Sequence, residues 1–264
     1  MIVAPIAAVL LAAAPAAPNC GPPIAGVDSL ADSPLVMLGE LHGMTAPPAF
    51  AADLACRLLA KGPVVVLLEL PKQEQPRLDA FLHSAGTPAD RAALIAGEFW
   101  TKAMRDGRSS EARVAMLESL RQLVASGAKI RVLAFDDTEL HGQDEREKGM
   151  AANILAALKP GEKGLVLVGN LHAHTVAGAP WNPKQIWTGQ FLREKLPTLV
   201  SLDARYLDGQ AWVCFNNSCG AKPMKGKGTG EAWSIERTPR DTSGLDGVYQ
   251  LGRAVVSPPA VPEK

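Results

Sequence analysis

Two short segments of the chain place histidines where they could do acid-base chemistry. The segment Gly39–Gly43 carries Glu40 and His42, and a later segment carries His172 and His174. Side chains alternate across an extended strand, so the two members of each pair project to one side. A lone histidine at a strand end is more often a structural hydrogen-bonding group. Three of the five histidines occur in these two segments, however, and this favours a catalytic or ligand-binding site.

The elements around these segments predict an α/β fold with a mostly parallel central sheet flanked by helices. Short continuous apolar runs are typical of strands buried on both faces, and stretches of helical period separate them. The candidate strands are Leu35–Leu38, Val64–Leu68, Ile130–Phe135 and Leu165–Val168. The candidate helices are Pro48–Lys61, Glu111–Ser126 and Met150–Leu158.

Each candidate strand ends in polar residues, and the carboxyl ends of parallel strands meet at one sheet edge. Glu69 follows the second strand, and Asp136 and Asp137 follow the third. A carboxylate at such a buried edge needs a hydrogen-bonding or charged partner, so we expect Glu69 to belong to the site. We interpret the two aspartates as helix-capping residues in preference to site residues. We interpret the segment Arg105–Arg108 as an exposed turn in preference to an anion-binding loop.

The rest of the chain predicts a single domain over residues 20–254. Residues 73–106 exceed a simple crossover and are expected to form a helical cap, and residues 255–264 to form a disordered tail. Three further short strands are expected to form an antiparallel edge near the C-terminus. These strands are Val200–Ala204, Ala211–Phe215 and Trp233–Glu236.

The first nineteen residues predict export. Residues 1–19 are nearly all small or apolar and too short to span a bilayer, as in a signal peptide. The protein is therefore expected in the periplasm or secreted. A lipoprotein anchored through Cys20 is the variant in which it would contact a membrane.

The cysteines suit an oxidising compartment. Cys214 and Cys219 flank four residues that can turn the chain, which favours a disulfide between them. Cys20 and Cys56 could form a second bridge, and a buried free thiol at Cys56 is the alternative.

Charge excludes one class of partner. Lysine plus arginine equals aspartate plus glutamate, at 27 each, so no overall field attracts nucleic acid. We expect a small-molecule or peptide substrate, and the sequence does not define an oligomeric state.

Four motifs together resemble the erythromycin esterase-like, ChaN and TraB/Tiki superfamily. They are Gly-Glu-Leu-His-Gly after the first strand, the glutamate of Leu-Leu-Glu-Leu-Pro after the second, Arg146 through Met150-Ala151, and Gly-Asn-Leu-His-Ala-His after the fourth. The match covers about Leu35 to His174. The superfamily includes esterases, metal-dependent peptidases and haem-binding lipoproteins, so the resemblance implies a fold more strongly than a substrate.

The resemblance also implies roles for individual residues. His42 matches the histidine that acts as base to activate water, assisted by the glutamates at Glu40 and Glu69. Arg146 matches an arginine near the site, and His172 or His174 matches the late histidine. A hydrolase that cleaves an ester or amide bond is the function this implies, with Arg146 or His172 stabilising the oxyanion.

Two cofactor hypotheses stay open at this stage. A divalent metal could be held by Glu40, His42, His172 and His174, with a position left for water. In a non-enzymatic alternative, a periplasmic haem- or metal-binding protein would use the same histidines. The chain has only six Phe and two Tyr, which disfavours a broad aromatic porphyrin pocket.

Overall fold

A computed structural model describes residues 20–102, 106–215 and 218–262. The predicted signal peptide, residues 1–19, lies outside the described residues. The strands are β1 (Leu35–Glu40), β2 (Val64–Pro71), β3 (Ile130–Asp136), β4 (Lys163–Gly169), β5 (Val200–Leu207), β6 (Gly209–Phe215), β7 (Ser218–Met224), β8 (Ser234–Arg237) and β9 (Gly247–Arg253). The helices are α1 (Ala46–Leu58), α2 (Gln75–Leu82), α3 (Pro88–Leu94), α4 (Glu98–Thr101), α5 (Glu111–Ala125), α6 (Gln143–Ala157) and α7 (Thr188–Lys195).

Seven of the described strands form one sheet, in the order β3-β2-β4-β1-β5-β9-β8. All pairings in it are parallel except that of β8 with β9. All six residues of β1 and six of the seven of β4 are buried, as expected of strands covered on both faces. The predicted α/β fold with an antiparallel edge at its C-terminal side is confirmed.

The C-terminal strands differ in detail from the prediction. β5 pairs in parallel with β1 and β9, because Val200 and Leu202 are buried and belong inside the sheet. β9 was not among the predicted strands. β6 and β7 form a separate two-stranded antiparallel ribbon.

Alternate residues of each central strand enter two different cores. Val36 and Leu38 of β1 pack into the core shared with α1, α2 and α5, whereas Leu35 and Met37 pack into the core shared with α6 and α7. The helices of residues 73–102, within the predicted cap, contribute Phe81 and neighbouring residues to the first core. This segment is therefore part of the helical layer on that face.

The expected Cys214–Cys219 disulfide is confirmed, and of the two alternatives for Cys56 the structure has the bridge to Cys20. Cys20 is bonded to Cys56 of α1, and Cys214 is bonded to Cys219 across the β6–β7 ribbon. A sulfur held in a disulfide cannot carry a lipid thioether, so the lipoprotein variant requires the Cys20–Cys56 bond to be absent. Within the described part of the chain, no helix is long and apolar enough to cross a membrane.

The prediction of a disordered tail is wrong for residues 255–262. The amide of Ser257 donates to Gly43 O at 2.8 Å, and the amide of Ala260 donates to Ser109 O at 2.9 Å. Ser257 is fully buried and Ala260 is 5% exposed. The proline-rich composition that suggests disorder also suits an extended segment whose few amides find specific acceptors. Residues 263–264 lie outside the described residues.

We expect truncation after Ala254 to lower the free energy of unfolding by about 2 kcal/mol or more. The truncation removes several buried hydrogen bonds, each contributing about 0.5–1.5 kcal/mol. Thermal unfolding of the full and truncated chains would measure the loss as a fall in Tm of about 4–8 °C. An unchanged Tm would show that the tail does not hold to the domain.

Candidate active site

The predicted site residues meet at the carboxyl edge of the sheet. Glu40 ends β1, Glu69 lies near the end of β2, and His172 lies in a single 3-10 turn directly after β4. His42 follows β1 by two residues and lies between the two glutamates. This is where loops converge in an open α/β sheet.

Glu69 is the acidic group to which most of this site is connected. Its side chain is only 3% exposed. Oε2 accepts a 2.8 Å hydrogen bond from the amide of Gly169, and Oε1 accepts hydrogen bonds from Arg108 and Arg146, both at 3.1 Å. A Cβ atom at Gly169 would lie 3.1 Å from His42 Nε2, so glycine leaves room for the imidazole beside Glu69.

Two histidines also face Glu69 at longer range. Nε2 of His42 lies 3.5 Å from Oε2 and Nε2 of His172 lies 3.8 Å from Oε1. Burial alone would raise the pKa of Glu69, but these imidazoles and the two guanidiniums hold that pKa well below its ordinary value. Glu69 is therefore an ionised carboxylate that is bound by two guanidiniums and faces two imidazoles.

His42 is oriented by a buried ion pair. Its Nδ1 lies 3.1 Å from Glu40 Oε1, and the same oxygen accepts a 2.6 Å hydrogen bond from Arg113 Nη2. The side chains of Glu40 and Arg113 are each 1% exposed. Burial would raise the pKa of Glu40, but Arg113 and His42 hold it below its ordinary value. An ionised Glu40 favours the tautomer of His42 with its proton on Nδ1, leaving Nε2 as the acceptor.

His172 is held by a second buried carboxylate. Its Nδ1 lies 2.8 and 2.9 Å from the two oxygens of Glu147, which also accepts hydrogen bonds from the amide and hydroxyl of Thr188. Burial would lower the pKa of His172, but Glu69 and Glu147 raise it above its ordinary value. His172 is therefore biased toward the charged form.

Asp136 and Arg108 belong to the site, contrary to both sequence-based interpretations. Asp136 does not cap a helix: it is fully buried and accepts hydrogen bonds from Arg146 at 2.8 and 2.9 Å and from Arg108 at 3.3 Å. The turn at Arg108 is not an exposed one. The side chain of Arg108 is 16% exposed and forms ion pairs with Asp106, Asp136 and Glu69. Arg105 lies outside the described residues.

The charged groups are arranged in two layers. Four carboxylates, from Glu40, Glu69, Asp136 and Glu147, are at most 3% exposed. The side chains of His42, His172, Arg108 and Arg146 reach solvent in part, between 13% and 23% exposed, and Asp106, which bonds to Arg108, is 32% exposed. Imidazoles and guanidiniums in such a position suit a carbonyl group that develops negative charge.

His174 lies away from this cluster. Its ring packs against Trp187, with 5.9 Å between centroids, and burial lowers its pKa. Of the two late histidines in the motif, only His172 contacts the carboxylates. Alternation along a strand does not apply to this pair because Asn170–Ala173 forms a 3-10 turn.

The donor set does not fit a metal ion. In the described part of the chain, no group of three or more His, Cys, Asp or Glu is arranged to hold one. Glu69, the carboxylate that faces both His42 and His172, is already bound by two arginines.

Two further residues of the site, Arg113 and Glu147, are not among those predicted from the sequence. Each is a charged residue within the buried stripe of its helix: Arg113 precedes Leu117 and Leu120 at spacings of four and seven, and Glu147 precedes Ile154 by seven. A charge in such a stripe is buried and needs a partner of opposite sign. That signal was available from helical periodicity.

Comparison with known proteins supports the fold and leaves the activity open. No protein-family model and no curated protein matches the sequence. A solved succinoglycan biosynthesis protein is 12% identical with a TM-score of 0.64, over 88% of this chain and 91% of that one. An erythromycin esterase mutant in its open conformation is 10% identical with a TM-score of 0.64, over 89% and 94%. A Bacillus cereus protein is 13% identical with a TM-score of 0.56, over 92% and 95%.

These neighbours confirm the predicted resemblance at the level of fold. The chain shares the architecture of an erythromycin esterase over almost its whole length. Identities of 10–13% carry no substrate from one protein to another.

We expect His172 to make stability depend on pH. Because its pKa is raised in the folded state, its stabilising effect is complete below the unfolded pKa of about 6.5 and is lost as pH rises through the folded value. The free energy of unfolding of the wild type should therefore exceed that of His172→Gln by more at pH 5.5 than at pH 9. Denaturant unfolding across this range measures the difference, and a constant gap would contradict the charge assignment.

Proposed function

We propose that the protein is an exported hydrolase in which His42 activates water to cleave an ester bond, with amides as the related alternative. The observation that carries the proposal is the setting of His42. Glu40, backed by buried Arg113, fixes Nδ1, whereas Nε2 is beyond hydrogen-bond distance of Glu69 at 3.5 Å. Nε2 is thus the basic atom available to water.

In the proposed reaction, water attacks the carbonyl carbon while its proton moves to His42 Nε2. The imidazolium that results is stabilised by the ionised carboxylates of Glu40 and Glu69. The same proton then passes to the leaving oxygen or nitrogen as its bond to the acyl carbon breaks. Glu40 and Glu69 act as positioning residues.

The negative charge of the tetrahedral intermediate is proposed to face Arg108, Arg146 and His172. The guanidiniums are anchored on Asp136, and His172 is anchored on Glu147. Their orientation is therefore set before the substrate arrives, which is how fixed positive groups lower the barrier most.

A covalent mechanism has less support. No Gly-x-Ser-x-Gly element occurs in the sequence. All four cysteines are in disulfides, so none is available as a thiolate.

Export and substrate size are part of the proposal. Two disulfides suit an oxidising compartment, in agreement with the signal peptide expected in residues 1–19. The similarity to an erythromycin esterase makes esters the first substrate class to test. Small esters should be assayed first, followed by macrolides and then by peptides.

We expect His42→Ala to lower kcat by about 10²–10⁴-fold, the usual contribution of a general base. A pH-stat assay with a panel of small esters, with and without chelator, measures turnover. Glu69→Gln should also lower kcat, because Glu69 helps to stabilise the imidazolium and aligns both arginines.

The matched control is His174→Ala, which removes a nearby histidine that does not contact the carboxylates. It should retain wild-type turnover. Wild-type activity in His42→Ala would reject the mechanism. A stoichiometric Soret band in the purified protein with no turnover would instead favour the haem-binding alternative.

A further inference from the structure

An exposed tryptophan lies close to the candidate active site. Trp181 is 65% exposed, and its ring contacts the buried ring of Trp187 at a centroid distance of 6.4 Å. Trp187 in turn contacts His172 at 6.3 Å. These two ring contacts place the exposed indole one buried side chain away from the catalytic cluster.

The position of Trp181 is fixed by a hydrogen-bonded turn. Ala179 and Asn182 exchange backbone hydrogen bonds of 2.9 and 3.0 Å, which puts Trp181 within the two-residue tip. Below the tip, Trp187 Nε1 donates to Gly178 O at 2.9 Å. The chain therefore holds a large apolar ring in water beside the candidate site.

We propose that Trp181 is a subsite for a sugar ring, and that the substrate is an O-acylated carbohydrate. The inference rests on the proposed hydrolase function and names its substrate class. A sugar presents C–H bonds on one ring face, which pack against the negative face of an indole, while its hydroxyls stay at the ring edge.

The openness of the turn favours a sugar over an apolar ring. Apolar groups bind in concave sites that bury most of their surface. Trp181 instead offers an open platform, and its neighbours Asn182 and Lys184 are exposed polar residues that can bond to ring hydroxyls. A ring bound here would keep its polar edge hydrated.

The geometry also assigns a direction to the substrate. With the acyl carbonyl at His42, the sugar oxygen is the leaving group and points past His172 toward the two tryptophans. Water adds its hydroxyl to the acyl carbon, the bond from that carbon to the sugar oxygen breaks, and the proton held by His42 moves to the sugar oxygen.

The test compares two acetates in Trp181→Ala. For an acetylated methyl glucoside we expect KM to rise about tenfold with kcat within twofold, as for the loss of one ring-stacking contact. For ethyl acetate, which has the same acyl group and no ring, both constants should stay at wild-type values. Trp181→Phe should recover part of the affinity because it keeps an aromatic face.

Phe215→Ala is the matched control, since Phe215 is a comparably exposed aromatic residue, at 72%, on the β6–β7 ribbon. Phe215→Ala should leave kcat and KM at wild-type values for both substrates. An unchanged KM for the acetylated glucoside in Trp181→Ala would overturn the subsite while leaving the hydrolase intact. Absence of wild-type turnover on both acetates would count against the hydrolase and not against the subsite, whereas turnover of ethyl acetate alone would count against the carbohydrate substrate.

Binding decides the subsite independently of turnover. Tryptophan fluorescence of the wild type should respond saturably to a neutral tetrasaccharide of glucose, xylose or N-acetylglucosamine, and the response should disappear in Trp181→Ala but persist in Phe215→Ala. No response to any of the three would overturn the proposal. A blue shift on phosphatidylcholine vesicles that requires Trp181 would also overturn it, because the indole would then be a membrane contact.

Discussion

The site depends on the burial of the Glu69 carboxylate. Removing a carboxylate from water costs several kcal/mol unless positive groups and hydrogen bonds replace the solvent. Here the replacements come from four separate segments: the loops after β1 and β4, the residues before α5, and α6. Because each segment carries a basic side chain that faces Glu69, the burial of this one acid constrains all four segments together.

The balance of buried charge explains the behaviour of His172. In the described part of the chain, the buried carboxylates of Glu40, Glu69 and Asp136 are paired with Arg113, Arg108 and Arg146, and that of Glu147 is paired with His172. The negative charge of Glu69 and Glu147 favours a proton on His172, which lies between these two carboxylates. The raised pKa of His172 therefore follows from the carboxylates on either side of it.

The sequence contained the sheet and part of this site. Continuous apolar runs identified β1 to β4, because strands covered on both faces need no polar alternation. The same criterion does not predict β9, because Gln250 and Gly252 interrupt the apolar run of Val248, Tyr249 and Leu251. The sequence-based interpretations of Asp136 and Arg108 were wrong because they used only neighbouring residues. A pair of aspartates after a strand is typical of a helix cap, and the contact of Arg108 with Asp136 arises only in the folded chain. Arg113 and Glu147 were readable as charges in apolar stripes, whereas their partners were not.

The position of His42 depends on backbone packing as well as on charge. The carbonyl of the next residue, Gly43, accepts hydrogen bonds from the amides of Trp212 on the ribbon and Ser257 in the C-terminal segment. Gly43 has a φ of +81°, and a side chain there would collide with Trp212 O. The ribbon and the C-terminal segment, whose described residues contribute no charge to the cluster, therefore hold the loop that carries His42. The geometry of the site thus depends on the C-terminal segment as well as on the central strands.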